Sequence, residues 1–288
     1  MRTALIVGDS GVSGDPVIEF FKKRSRSLGY DPEEERIHAQ ALDRCSTLDR
    51  NSVHLVLFCV PESLTKTDDY LTKIKDSSRR VIVYAHASCA SSHVAIDYLH
   101  QGLAHGYLVS GDRPSEESME ELVTSLRATG ETPYRAIDFK QPGDGAKPCV
   151  FISTPFERST LMIARNAIDY PLQQLGFMVK WGDRDYWHSI QDRIVADIQS
   201  SSLLVANVSL DTRNRLHNAN VYFEAGAATA LGLPIVFVRR QGEQDIPLPA
   251  DVQGRRWLSY DNEIDLALKL YCGLKQSIEA KRTAPIVP

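Results

Sequence analysis

The residues of this chain best placed to do chemistry lie in its second half. Glu224 is a single carboxylate set between the apolar Val221, Tyr222 and Phe223 and a run of small residues, Ala225 to Ala228. Short polar clusters precede it at regular intervals: Ser153, Thr154, Pro155 and Phe156; Asp183, Arg184 and Asp185; Asn207, Ser209, Asp211 and Thr212; then Asn218 and Asn220. A carboxylate can stabilise positive charge at the anomeric carbon of a sugar, or attack that carbon to form a covalent glycosyl-enzyme. Glycosidases use carboxylates on this logic, and cleavage of a ribose–base bond passes through a transition state of the same character. Asp and Asn side chains suit ribose hydroxyls, and a helix N-terminus suits a phosphate. Glu224 is therefore the catalytic candidate. Ser153 and Phe156 are expected to shape a base or phosphate site, Asp183, Asp185 and Asn220 to hold ribose, and Pro155, Asn218 and Tyr222 to complete the ligand-binding set.

The elements that would position these residues are read from apolar periodicity. Each polar cluster follows a short apolar run: 150–153, 177–181 and 203–208, with later runs at 235–238 and 256–259. Helical patterns lie between them at 161–175, 186–199, 219–231 and 262–280. Ile190, Ile194 and Ile198 form an apolar stripe, and Gly176 and Gly232 are stop signals. In the first half, runs at 4–7, 53–60, 81–85 and 106–109 alternate with helical patterns at about 63–77, 92–102 and 115–128, and a helix starts near Pro16. Apolar strands alternating with helices predict a parallel sheet covered on both faces. Two such α/β, doubly wound domains in tandem are expected, at 1–130 and 149–288, joined by a Gly- and Pro-rich linker at 131–148. Ligands of such sheets bind at the carboxyl ends of the strands, where all the polar clusters fall.

Bulk properties exclude several classes. With 288 residues the chain has room for two domains of about 150 residues each. Apolar residues make up 43% and charged residues 24%, a globular composition. A net charge of −4 and a pI of 6.1 give no electrostatic case for nucleic acid. No run approaches the roughly 18 apolar residues of a membrane span, and the apolar start reads as a first strand rather than a signal peptide. The five cysteines are scattered without metal spacing, which predicts reduced thiols in a cytoplasmic protein and no bound metal.

Competing readings attach to several residues. Glu224 is also compatible with the surface of an amphipathic helix, although its three apolar neighbours argue for one buried face. Asp183 and Asp185 are natural turn formers. Asn218 is a natural N-cap, which does not exclude ligand contact. Gly8, Gly11 and Gly14 lack the Lys-Ser/Thr of a phosphate loop and the GxGxxG order, so they read as a strand-to-helix turn. His86 and His93 near Cys89 have no third ligand and read as structural. Trp181, Trp187 and Trp257 read as packing residues, with base stacking open for Trp187.

The string Phe151-Ile152-Ser153-Thr154-Pro155-Phe156 resembles the opening strand and loop of nucleoside 2-deoxyribosyltransferase-like proteins, which belong to a wider group with TIR domains. Asn218-Ala219-Asn220-Val221-Tyr222-Phe223-Glu224-Ala225-Gly226-Ala227-Ala228, followed by Leu231-Gly232-Leu233-Pro234, resembles the same family, as do Ile246-Pro247 and a strand ending at Tyr260. The likeness covers about 150–275. It implies a flavodoxin-like fold, Glu224 as the catalytic carboxylate, and a nucleoside, nucleotide or NAD as substrate; no cofactor is expected. Two departures, Asn207 where relatives often carry Asp and the inserted segment from Arg213 to His217, count against transfer and leave hydrolysis and binding without turnover open. The first half resembles a response-regulator receiver at Ala95 to Gly102 and His105 to Leu108. It has Cys59-Val60-Pro61 where the phosphorylated Asp belongs and Ser110-Gly111 where a Lys belongs. That implies a degenerate receiver that docks, dimerises or senses, hence a homo-oligomer or a partner protein. Architectures of this kind suit bacterial stress or antiphage signalling.

Overall fold

In the computed structural model the residues described are 2–7, 16–27, 30–35, 54–59, 79–85, 89–104, 106–109, 136–143, 146–155, 165–181, 190–210, 216–243, 252 and 257–283. The chain divides into two compact units, Met1–Pro133 and Tyr134–Pro288. Each contains a five-stranded sheet.

The first unit has strands β1 (Arg2–Val7), β2 (Tyr30–Glu35), β3 (His54–Cys59), β4 (Arg79–Ala85) and β5 (Gly106–Val109), with helices α1 (Pro16–Ser27) and α2 (Cys89–His100). All its pairings are parallel, in the order β2-β1-β3-β4-β5. Sequence periodicity passes over β2, whose residues are Tyr-Asp-Pro-Glu-Glu-Glu. Among the described residues it is an edge strand paired with β1 alone, a position that tolerates Pro32 and acidic residues. The expected helices at 63–77 and 115–128 lie outside the described residues.

The second unit has β6 (Cys149–Ser153), β7 (Met178–Trp181), β8 (Leu203–Asn207), β9 (Ile235–Arg240) and β10 (Trp257–Tyr260). Its helices are α3 (Tyr170–Gln174, entered through a π-helical turn at Arg165–Asp169), α4 (Ile190–Gln199), α5 (Ala219–Ala230) and α6 (Glu263–Thr283). The order is β10-β9-β8-β6-β7, again all parallel. Counted from its own first strand, this is the same 2-1-3-4-5 order, the flavodoxin-like arrangement of an open α/β sheet.

Every residue of β6 and β8 is buried, as a central parallel strand requires. On one face Phe151, Leu204, Ala206, Val208 and Phe237 meet Ile198 of α4 and Val221, Ala225 and Ala228 of α5 in one core. The predicted stripe of α4 is seen in Ile198, fully buried, and Ile194, packed against the same core. The helices stop where glycine takes a left-handed φ, +82° at Gly176 and +60° at Gly232. At each, the glycine N–H and the next N–H bond back to the last turn: Gly176 and Phe177 to Gln173 and Leu172, Gly232 and Leu233 to Thr229 and Ala228. This is the Schellman closure.

Candidate functional site

A 2-1-3-4-5 sheet has its topological switch point between the first and third strands, where the following loops turn to opposite faces and open a crevice. In the second unit those strands are β6 and β8, paired through Ser153 and Ala206 at their carboxyl ends. Ser153 closes β6, and Thr154 and Pro155, both buried, lead out of it. Asn207 closes β8.

The helix that follows β8 is α5. Asn218 is extended (φ −81°, ψ 113°) and caps it, its side-chain oxygen accepting from the backbone N–H of Asn220 at 3.0 Å and of Val221 at 3.4 Å. This fixes the first turn. Val221, Glu224, Ala225 and Ala228 then fall at i, i+3, i+4 and i+7 and are the buried residues of the helix. Glu224 thus occupies a position on the sheet-facing stripe that its neighbours fill with apolar groups, and it is only 4% exposed.

Ser153 donates its hydroxyl to the Glu224 carboxyl. Burial pushes Glu224 above its ordinary value of 4.5, and the Ser153 hydroxyl opposes that rise by bonding the charged form. A buried carboxylate bonded to a neutral hydroxyl is costly to ionise in the resting protein. Such a group is poised to gain when positive charge develops beside it.

On the opposite face of the same strand ends lies a second polar set. The Asn207 amide donates to the Thr154 hydroxyl at 3.2 Å and accepts from the Ser209 N–H at 3.2 Å. Ser209 and Tyr260 share a hydroxyl–hydroxyl bond of 2.9 Å, and the Arg240 N–H donates to Ser209 at 3.1 Å. These bonds join the exits of β6, β8, β9 and β10 into one rim. Asn207 uses both a donor and an acceptor here, and an ionised Asp offers no donor.

Of the residues expected from sequence, the structure brings Ser153 and Glu224 together and places Pro155 in the loop beside them. Asn218 serves as the cap. Asn220 is exposed one position into α5. Tyr222 is half-buried, its hydroxyl 3.1 Å from His217 Nδ1 and its ring edge-on to that imidazole. Burial pushes the Tyr222 phenol up to about 12, moderated by the charge of Arg239. Phe156, Asp183 and Asp185 lie outside the described residues, as does Trp187. Thr154, Ser209, His217, Arg239 and Tyr260 were not singled out as site residues. Thr154 and Ser209 sit one and two positions from strand ends that did attract notice, whereas His217, Arg239 and Tyr260 have no spacing that marks them. Among the described residues no group of His, Cys, Asp and Glu has a metal-binding arrangement, and no helix is long and apolar enough to cross a membrane. Among the described residues, Cys59, Cys149 and Cys272 are buried and form no disulfide.

No family model matches the chain. No curated protein matches it. Among solved structures it is similar to the C-terminal domain of glucosamine-fructose-6-phosphate aminotransferase from Francisella tularensis, at 10% identity and a TM-score of 0.29 over 94% of this chain and 82% of that one. It is similar to the dinucleotide-forming acetyl-coenzyme A synthetase 1 of Ca. Korarchaeum cryptofilum at 9% and 0.32, over 100% and 68%. It is similar to tagatose-6-phosphate ketose/aldose isomerase from Escherichia coli at 8% and 0.27, over 97% and 83%. Likeness at these scores carries no argument about function.

Proposed function

We propose that the second unit is an N-glycoside hydrolase or transferase acting on a nucleoside, nucleotide or NAD, with Glu224 as its reacting carboxylate. The observation that carries this reading is the burial of Glu224 against Ser153 at the sheet's switch point. In the reaction the C1′–N bond breaks and its electron pair leaves with the base. The base takes up a proton when it leaves a neutral N-glycoside and needs none when it leaves, as nicotinamide does from NAD, from a cationic nitrogen. Glu224 stabilises the positive charge left on the sugar, or bonds to C1′ as a nucleophile. Water then takes the sugar in hydrolysis, or a second base in transfer. A carboxylate that is costly to ionise in the empty site gains most when that charge appears, and this favours the transition state over the ground state.

In this reading the chain is a tandem of two flavodoxin-like domains working in the cytoplasm. The second is of the nucleoside 2-deoxyribosyltransferase-like kind. The first is a degenerate receiver that regulates it or brings it to a second copy or a partner protein. The buried Cys59 at the end of β3, where a receiver would place its phosphorylated Asp, supports a role without phosphotransfer.

A second reading draws on Asn207. Its amide is engaged by Thr154 and Ser209 and brings no second carboxylate to the crevice. A non-catalytic nucleotide sensor that signals to an effector needs none.

Chromatographic detection of free base separates the two readings. Purified full-length protein is incubated with NAD and a panel of ribo- and deoxyribonucleosides and their 5′-phosphates, beside Glu224→Gln. Release by the wild type alone is the expected result. A ligand bound and recovered intact would overturn catalysis and leave the sensor.

A further inference from the structure

Arg239 is a charged residue only 8% exposed, and with Arg240 it closes a strand whose preceding residues are apolar. Strand periodicity fixes which way it faces. Phe237, two residues earlier, belongs to the core that packs on α5, so Arg239 stands on that same face. Ser153 stands there too, two residues after Phe151 of the same core, and there it meets Glu224. The charge of Arg239 is felt by the Tyr222 phenol on α5. Buried cation and buried carboxyl therefore share one side of the sheet, at its carboxyl edge, beneath one helix.

Their separation follows from the register. Ser153 pairs with Ala206, and Ala206 with Phe237, so Arg239 lies two strands across from Ser153 and two residues further along. At the ~4.8 Å and ~3.3 Å spacings of a parallel sheet, this puts the two Cα atoms about 12 Å apart. That Cα separation suits a sugar carrying an anionic group on the carbon away from its base. One guanidinium N–H goes to the backbone carbonyl of Glu243, and the Glu243 carboxylate in turn accepts from the Leu210 N–H at 3.0 Å. The guanidinium plane is thereby tied to the loop after β9. A guanidinium carries five N–H donors in a fork that matches a phosphate.

We propose that Arg239 is the anion-recognition residue of the Glu224 site. It takes the 5′-phosphate of a ligand whose anomeric carbon lies against Glu224, and makes 5′-phosphorylated N-glycosides, rather than bare nucleosides, the substrate class. This rests on the N-glycoside reading of the site. The charge-assisted bonds of a held guanidinium to phosphate strengthen binding without touching the reacting bond, so their effect enters through KM.

The test compares base release by the full-length protein from the common nucleoside 5′-monophosphates, NAD and the matching nucleosides, with Arg239→Gln and Arg239→Lys alongside. The wild type is expected to prefer phosphorylated substrates by a hundredfold or more in kcat/KM, and ribose 5-phosphate is expected to inhibit where ribose does not. Arg239→Gln should narrow the preference at least tenfold, chiefly through KM, and Arg239→Lys should recover part of it. If the protein binds without cleaving, the same ratio is read from Kd. Equal handling of nucleosides and nucleotides by the wild type would overturn the phosphate site while leaving the glycosidase reading intact, and needs no variant. A preference unchanged in folded Arg239→Gln would overturn the assignment to Arg239. Neither release nor binding of any probe would overturn both.

Discussion

Ser153, the last residue of β6, bonds through its hydroxyl to Glu224, 71 residues further along the chain and in the second turn of α5. The bond ties a central strand to the helix that covers it. It also places a carboxyl where α5 otherwise presents Val221, Ala225 and Ala228 to the sheet.

The first consequence is a cost in stability. Burial raises the Glu224 value in the folded state above the ordinary 4.5. Between those two values the folded state holds the proton more often than the unfolded state does. Glu224 therefore favours folding fully only below about pH 4.5, and this contribution is lost as pH rises through the raised folded value. Gln at the same position cannot ionise and still accepts from Ser153. Glu224→Gln is expected to match the wild type in Tm near pH 4.5 and to exceed it by about 2–4 °C at pH 8, roughly 1 kcal/mol. Scanning calorimetry across that range decides it, and a wild type more stable than the variant at pH 8 would sink the idea.

Removing the donor should act in the opposite sense on ionisation. Ser153 favours the charged form of Glu224, so Ser153→Ala raises its value further. If the carboxylate is the reacting species, the acidic limb of the pH–rate profile for base release then moves to higher pH. The expected loss is about tenfold on the acidic limb and smaller on the alkaline side of the profile. A uniform loss at all pH values would mean that Ser153 serves the substrate and not Glu224.

Apolar runs made the central strands legible. Val150 to Ser153 and Leu203 to Asn207 are buried on both faces, and their sequences are correspondingly apolar between polar turns. Gly176 and Gly232 marked helix ends because left-handed closure excludes most other residues. The strand Tyr30–Glu35 was not legible, since an edge strand rich in acidic residues carries no apolar alternation. In the site, Glu224 was conspicuous as a carboxylate among small residues. The pairing of Asn207 with Thr154, and of Ser209 with Tyr260, spans 53 and 51 residues of chain. No local periodicity encodes such contacts, which depend on strand order. Arg239 was hidden by its own context, because an Arg-Arg pair closing an apolar strand looks like a solvated strand end.

Asn218 lies within the segment that carries the family resemblance, yet its visible work is capping. Its side chain accepts from two N–H groups of the first turn. Asn218→Ala is expected to cost about 1 kcal/mol, or about 2–4 °C in Tm, and Asn218→Ser should restore most of it. Thermal unfolding of the three proteins checks this. An unchanged Tm in Asn218→Ala would show that the cap contributes nothing and that the residue is held for another reason.

Two glycines of the same helix should respond in opposite directions to one methyl group. Gly226 lies inside α5 on its exposed side, away from Glu224, and a Cβ built there meets nothing within 4 Å. Alanine loses less backbone entropy on entering a helix, so Gly226→Ala is expected to stabilise by about 0.5–1 kcal/mol. Gly232 has equal room, again nothing within 4 Å, but its φ is +60°. Alanine there pays for the left-handed backbone, so Gly232→Ala should destabilise by about 1–2 kcal/mol. Chemical denaturation of both variants reads the two signs directly. Because space is the same at both sites, a shared sign would show that the left-handed closure between α5 and β9 does not limit stability.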